Sequence, residues 1–359
     1  MAMKTAARLS APSVARIAAA CGVSAMTVSR ALRPDAPVAE PTRQRILAMA
    51  AAMGYRLHPG QGRPRRPASR QRPVVDVVLG TSIAPESQFA ARLLIAVEQG
   101  LARRSHDCVI RGCGDDFGEF TWLCEGLRRS RASGTLVVGH FPLPQLRTIL
   151  ELVPAAILVD NQGHPLLAHT GETVAYDNVE AARLAVRHLL DLGRRRILLL
   201  TGPADHYFSR SMDQGYREVL TASALPLDPA LLQTSDYTSR GAAQLLRQLL
   251  AEGLAFDAVC TNDEMAFGVL RALHDAGRRI PGDVAVAGCD GLPMGEVSLP
   301  SLTTVALDPA PMAELAVARL FAQLAAPAPP CRLQLLPRLI VRESTLAHAP
   351  GDASCPPSP

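Results

Sequence analysis

Three side chains stand where apolar runs end and could bind a polar small molecule. Asp177 follows Val174-Ala175-Tyr176, Asn262 follows Ala258-Val259-Cys260 by one residue, and Asp290 comes shortly after Val284-Ala285-Val286-Ala287. A carboxylate accepts several hydroxyl hydrogen bonds and an asparagine offers a donor and an acceptor together, which is the chemistry of polyol recognition. Each has a competing local role. Asp177 is placed to cap a helix, one of Asn262 and Asp263 must cap the helix over 264–275, and Asp290 can turn the chain with Gly291. Arg210 could pair with a ligand carboxylate bidentately or serve as a surface arginine. Trp122 is either a stacking platform or a helix-packing residue. No constellation for bond making accompanies these groups. The nine histidines form no H-E-x-x-H, and neither G-x-S-x-G nor G-x-x-x-x-G-K-[ST] occurs. The sequence therefore predicts no enzyme, no cofactor and no metal. The eight cysteines contain no C-x-x-C and read as reduced, mostly buried thiols.

A second set of residues points to a polyanion. Residues 1 to 72 hold thirteen basic side chains against Asp35 and Glu40, although the whole chain carries only +4. Within this segment Ser13 to Leu32 has the spacing of two short helices crossing at Gly22-Val23-Ser24. A second helix of that size enters a DNA major groove with its first residues against the bases. On this geometry Ala25 and Met26 make apolar base contacts, Thr27 and Ser29 bind phosphate, and Arg30 takes a guanine or the backbone. The expected DNA-contact set is Ser13, Ser24, Ala25, Met26, Thr27, Ser29, Arg30 and Arg33.

The elements that must position these residues can be read from caps and periodicity. Ser13 caps a helix ending at Cys21, Ser24 caps a helix over Ala25–Leu32, and a third runs from Pro41 to Met53 before Gly54. Ile17, Val23, Val28, Leu32, Ile46, Leu47 and Met53 are its candidate core. Pro59 to Pro73 holds four prolines and two glycines in fifteen residues, the composition of a linker. Beyond it, short apolar runs alternate with helix-length segments, the pattern of parallel sheets covered by helices on both faces. The fold class is thus a small all-α helix-turn-helix domain plus an α/β two-lobed domain. The boundaries read as 1–58 for the DNA-binding domain, 59–72 for the linker, 73–347 for effector binding and dimerisation, and 348–359 for a disordered tail. Lobe one is placed at 73–193 and 305–328, lobe two at 194–304 and 329–347. The 359 residues, 48% hydrophobic and 19% charged, contain no apolar run of membrane length, and no secretory signal is read at the N-terminus. A cytoplasmic location follows.

The helix-turn-helix residues, with Val38-Ala39-Glu40-Pro41-Thr42-Arg43 and Met53-Gly54-Tyr55, closely resemble the lactose-repressor (LacI/GalR) family of bacterial regulators. The resemblance continues through Val174-Ala175-Tyr176-Asp177-Asn178, His188 to Ile197, Cys260 to Ala266, Ile280 to Asp290 and Pro300 to Val305, the last being similar to the strand that returns to the first lobe. It implies a periplasmic-binding-protein-like effector domain, a homodimer on near-palindromic operator DNA, and a repressor controlled allosterically by a sugar or sugar acid. The recognition helix looks most like the gluconate-operon branch, and the location implied is bacterial and nucleoid-associated. The resemblance also implies that Phe89 stacks on the sugar ring, although an isolated aromatic can equally be core. The effector set is then Phe89, Asp177, Arg210, Asn262 and Asp290. Two positions depart from the family: Pro64 stands where its hinge helix carries a leucine, and Met212 stands where many members carry a ligand-gripping arginine. Arg63, Arg65, Arg66 and Arg70 are expected to replace part of the hinge with charge, and Arg210 is the nearest substitute for the arginine. The rival reading from another class is the solute-binding receptor of a transport system, which shares the two-lobed fold.

Overall fold

The computed structural model describes residues 13–32, 36–55, 72–80, 87–112, 117–153, 155–161 and 172–346. The chain divides into two compact units, Met1–Gln71 and Arg72–Pro359.

The described residues of the first unit form three helices: α1 (Val14–Cys21), α2 (Ala25–Ala31) and α3 (Glu40–Ala52). Ser13 accepts the Arg16 N–H to start α1, and Gly22 ends it at φ +62°, a left-handed conformation that glycine adopts without strain. Ser24 accepts the Thr27 N–H at 3.1 Å and starts α2 two residues later. Ile17, Val28 and Ile46 are fully buried, with Ala18, Cys21, Ala31 and Ala50 filling between them. Of the expected core, Ile17, Val28 and Ile46 are fully buried and Val23, Leu32 and Met53 are partly buried against them, but Leu47 is exposed, one step round α3 from Ile46. Small residues do more of the packing than hydrophobicity suggested, because three short helices can approach closely only over alanine and cysteine. Two arginines hold the helix ends. Arg43 donates to the carbonyls of Ala31 at 2.9 Å and Ala36 at 2.5 Å, and Arg45 donates to that of Cys21 at 3.2 Å. Each satisfies backbone acceptors that a helix C-terminus leaves without partners.

The second unit has two lobes. Lobe one is a parallel sheet of β1 (Val74–Leu79), β2 (Asp107–Gly112), β3 (Gly134–Val138), β4 (Ala156–Val159), β5 (Glu172–Tyr176) and β11 (Arg332–Leu335), in the order β11-β5-β4-β3-β1-β2. Helices α4 (Gln88–Arg103), α5 (Phe117–Arg129), α6 (Leu143–Leu152) and α12 (Pro309–Ala325) cover it. Lobe two orders β12 (Arg338–Ile340), β10 (Thr303–Ala306), β9 (Ala285–Asp290), β8 (Ala258–Cys260), β6 (Ile197–Thr201) and β7 (Leu232–Thr234) in the same way, with β12 alone antiparallel. Its helices are α7 (Asn178–Asp191), α8 (Tyr207–Ala222), α9 (Ser239–Ala251), α10 (Asp263–Asp275) and the short α11 (Met294–Val297). Central strands such as β3 and β5 are buried along their whole length, and their polar members Thr135, Glu172 and Thr173 are buried with the apolar ones.

The lobe boundaries require correction. Helix α7 packs on α8 and on the strands of lobe two, so the first crossing lies at Tyr176–Asn178 and not near residue 193. The β10 strand pairs with β9 inside lobe two, so the return to lobe one comes after Ala306. The segment 329–347, assigned wholly to lobe two, is split: β11 pairs with β5 of lobe one, and β12 pairs with β10 of lobe two. Strands of three or four residues with no run of apolar character gave no periodicity from which to find these pairings. The crossings lie side by side, with the Asp177 N–H donating to the Leu335 carbonyl at 2.9 Å and the Tyr176 hydroxyl to that of Asp308 at 2.9 Å.

Candidate functional site: the recognition helix and the cleft between the lobes

On the first unit, Ser24, Ala25, Met26 and Arg30 are exposed on α2, with Met26 64% accessible. Met26 and Arg30, four apart, share one helix face. Thr27 and Ser29 are half-buried, and the Thr27 hydroxyl lies 2.8 Å from that of Ser24, which ties it to the cap. Ser13 is half-buried and caps α1. Arg33 lies outside the described residues, as do the linker arginines Arg63, Arg65, Arg66 and Arg70, Pro64, and the tail.

On the second unit the strand ends of both lobes meet at a cavity of about 520 Å³. Lobe one contributes Phe89 on the first turn of α4, Gly139 after β3 and Asp160 after β4; lobe two contributes Asn262 and Asp290 from the ends of β8 and β9. Ligand sites of open α/β sheets lie beyond the carboxyl ends of their strands for this topological reason. The structure thus gathers Phe89, Asn262 and Asp290 of the five expected residues. Asn262 does two things at once: Oδ1 accepts the Met265 N–H at 3.1 Å to cap α10, while Nδ2 reaches an Asp290 carboxylate oxygen at 3.5 Å. Its neighbour Asp263 is buried beneath the site and accepts from the Thr304 hydroxyl at 2.6 Å and the Leu292 N–H at 2.7 Å. Those bonds hold the turn that sets Asp290 at φ +136° and Gly291 at +71°. Gly288 is required here, because a Cβ would fall 2.1 Å from the Asp263 carboxylate.

Two expected residues lie elsewhere. Asp177 caps α7 by accepting the Glu180 N–H at 3.0 Å, at the crossing between lobes, and does not line the cavity. Arg210 is exposed on α8, donates to the Asp205 carbonyl and faces a separate shallow groove with Asp213 and Arg217. Met212 is buried in the core. Trp122 is 68% exposed on α5, so neither of its expected roles holds within this chain.

An acid and an aromatic wall were missed. Asp160 has φ +50° and hydrogen-bonds to Tyr207 of the opposite lobe. Burial pushes its carboxyl up to about 7, with the tyrosine bond opposing the shift. Burial also raises Asp290, and the charges of Asp263 and Asp160 add to the effect. His206 caps α8 by accepting the Phe208 N–H, its ring 4.8 Å from Tyr207, 5.1 Å from Tyr237 and 4.9 Å from His140 of lobe one. Burial first, then His140 and Arg210, lower His206 to about 3, so it is a neutral ring. The helix was expected to begin at 211, and histidine is not a usual cap, so nothing in the sequence marked 206–208 as cleft-facing. Asp160 was visible as the residue after an apolar run, the same signal that found Asp290.

A helical head with an exposed basic, polar and apolar helix face, joined to a two-lobed α/β unit with a small-molecule cleft, defines a ligand-responsive DNA-binding protein. Residues 14–57 match the model of bacterial regulatory proteins of the lacI family, and 186–345 match the periplasmic binding protein-like domain. The regulator CelR of Thermobifida fusca is 31% identical over 93% of this chain and 98% of its own length; the ribose operon repressor of Escherichia coli is 28% identical over 92% and 98%. Among solved structures, a CelR–cellobiose complex superposes with a TM-score of 0.69 at 27% identity, covering 93% of this chain and 99% of its own. The lac repressor dimer bound to operator gives 0.69 at 24% identity, covering 94% and 100%, a likeness of fold. The chain belongs to the LacI family: it is a DNA-binding transcription regulator and not an enzyme.

Proposed function

We propose that this regulator is a homodimeric repressor of the bacterial cytoplasm whose operator affinity is set by a sugar held between its lobes. The cleft carries the reading, since both lobes supply polar strand-end residues, Asp160 from one and Asn262 with Asp290 from the other, around one cavity with aromatic walls. A ligand bridging such lobes favours one lobe angle over others, and in a dimer that angle governs the separation of the two DNA-binding heads. The relatives named for cellobiose and ribose support a sugar. The gluconate branch receives no such support, because the lining carboxylates oppose an acid and Arg210, the expected acid-binding residue, does not line the cavity. Ala25, Met26 and Arg30 read the bases of a near-palindromic operator, and the linker arginines add phosphate contacts. DNase footprinting on the upstream intergenic DNA tests this. The expected result is one protected site with two half-sites, lost in Arg30→Ala; a protected region of random placement defeats it.

A further inference from the structure

The cleft has carboxylates on both walls, and no described arginine or lysine pairs with Asp160 or Asp290. Asp160 and Asp290 line the same cavity from opposite lobes, and the charge of Asp160 adds to the burial that raises the proton affinity of Asp290. Among the described lining residues the one arginine is Arg240, which is exposed. Other described arginines near the site have acceptors of their own. Arg92 holds the Asp308 carboxylate at 3.8 Å and the Gly291 carbonyl at 3.5 Å, Arg342 holds Glu296 at 3.1 Å, and Arg210 faces its own groove. The lining His206 is neutral.

Two half-buried carboxylates without a cationic partner are costly, and the cost is relieved by a ligand that brings the missing charge. The rest of the lining suits such a ligand. Phe89, Tyr207, Phe208 and Tyr237 line it, and aromatic rings attract ammonium groups through their negative quadrupoles. An ammonium offers three N–H donors and no acceptor, matching carboxylate and tyrosine oxygens, while Asn262 offers its amide to hydroxyls. We infer that the effector is an amine-bearing sugar, its ammonium group held between Asp160 and Asp290; the inference rests on the sugar reading of this cleft and narrows it.

The test is titration calorimetry of the full chain at pH 7.5 with matched probes. These are glucosamine, galactosamine and mannosamine, each beside its parent hexose and its N-acetyl derivative, and the disaccharide of glucosamine beside cellobiose. The expected result is that at least one amine binds about tenfold or more tighter than both of its uncharged counterparts, as a desolvated ion pair requires. Asp160→Asn and Asp290→Asn should each remove most of that preference, with circular dichroism verifying that both variants fold. Equal or tighter binding of the uncharged member in every set overturns the inference and leaves the sugar reading standing. Binding of no amine also overturns it. If in addition no neutral sugar binds, the sugar reading falls with it.

Discussion

The DNA-binding head and the effector cleft are built in opposite ways. In the head, caps, turn and exposed helix face all lie within twenty consecutive residues, Ser13 to Leu32, and each residue's role follows from its neighbours. In the cleft, Phe89, Asp160, His206, Asn262 and Asp290 come from separate strand ends across two hundred residues and meet only after two sheets have formed. Local sites can be read from spacing. Assembled sites depend on where each helix begins and which lobe each strand joins.

The sharpest break of this comparison separates the two units. Val28→Asp places a charge in the fully buried core of the head, at a cost of several kcal/mol. Operator binding should vanish in a mobility shift, while effector binding to the second unit, measured by calorimetry, should stay within about twofold. Parallel loss of both would show that the units are not independent.

Next in size is the contrast between two aspartates that the sequence alone treats alike. Asp290→Asn should weaken effector binding by about 30-fold or more, the scale of a charged hydrogen bond. Asp177→Ala removes a helix cap, lowering stability by about 1 kcal/mol in urea unfolding, but should change effector affinity by less than about twofold. Similar losses of affinity from both would return Asp177 to the site.

Asp160 gives a pH test of the cleft. Its folded value of about 7 stands above the ordinary 3.8, so folding favours the protonated acid. The contribution is fully favourable below about pH 3.8 and is lost as pH rises through 7. Asp160→Asn should therefore be near neutral at pH 4 and stabilise the ligand-free protein by up to about 4 kcal/mol at pH 8. A stability difference that does not vary with pH would mean that the carboxyl is not held away from water. Smallest is the head's own cap: Ser24→Ala should cost about 1 kcal/mol, read from thermal unfolding of the head signal.

Much of the fold was legible because parallel sheets buried on both faces leave unbroken apolar runs and capped helices leave Ser, Thr, Asp and Asn at their starts. The lobe crossings were not legible, because β7, β11 and β12 are short and carry no such run. In the site, Asn262 and Asp290 were found because each comes soon after a strong run. His206 and Tyr207 were missed because the helix they open starts four residues before its periodic pattern becomes clear, whereas Asp160 directly follows the run Ala156-Ile157-Leu158-Val159 and carries the same signal as Asp290. Arg210 is the nearest substitute for the arginine that the family resemblance implies at Met212, and its exposed face of α8 takes it away from the cavity.

The central claim is that occupancy of the cleft sets the grip on DNA. It is tested most directly by titrating the preformed operator complex with the best-binding sugar and following fluorescence anisotropy of labelled DNA, for the native chain and for Asp290→Asn. The account predicts a sugar-dependent change in operator affinity of about tenfold in the native chain, displaced to much higher sugar concentration in the variant. An operator complex that ignores the sugar, although calorimetry shows the cleft filled, would contradict it.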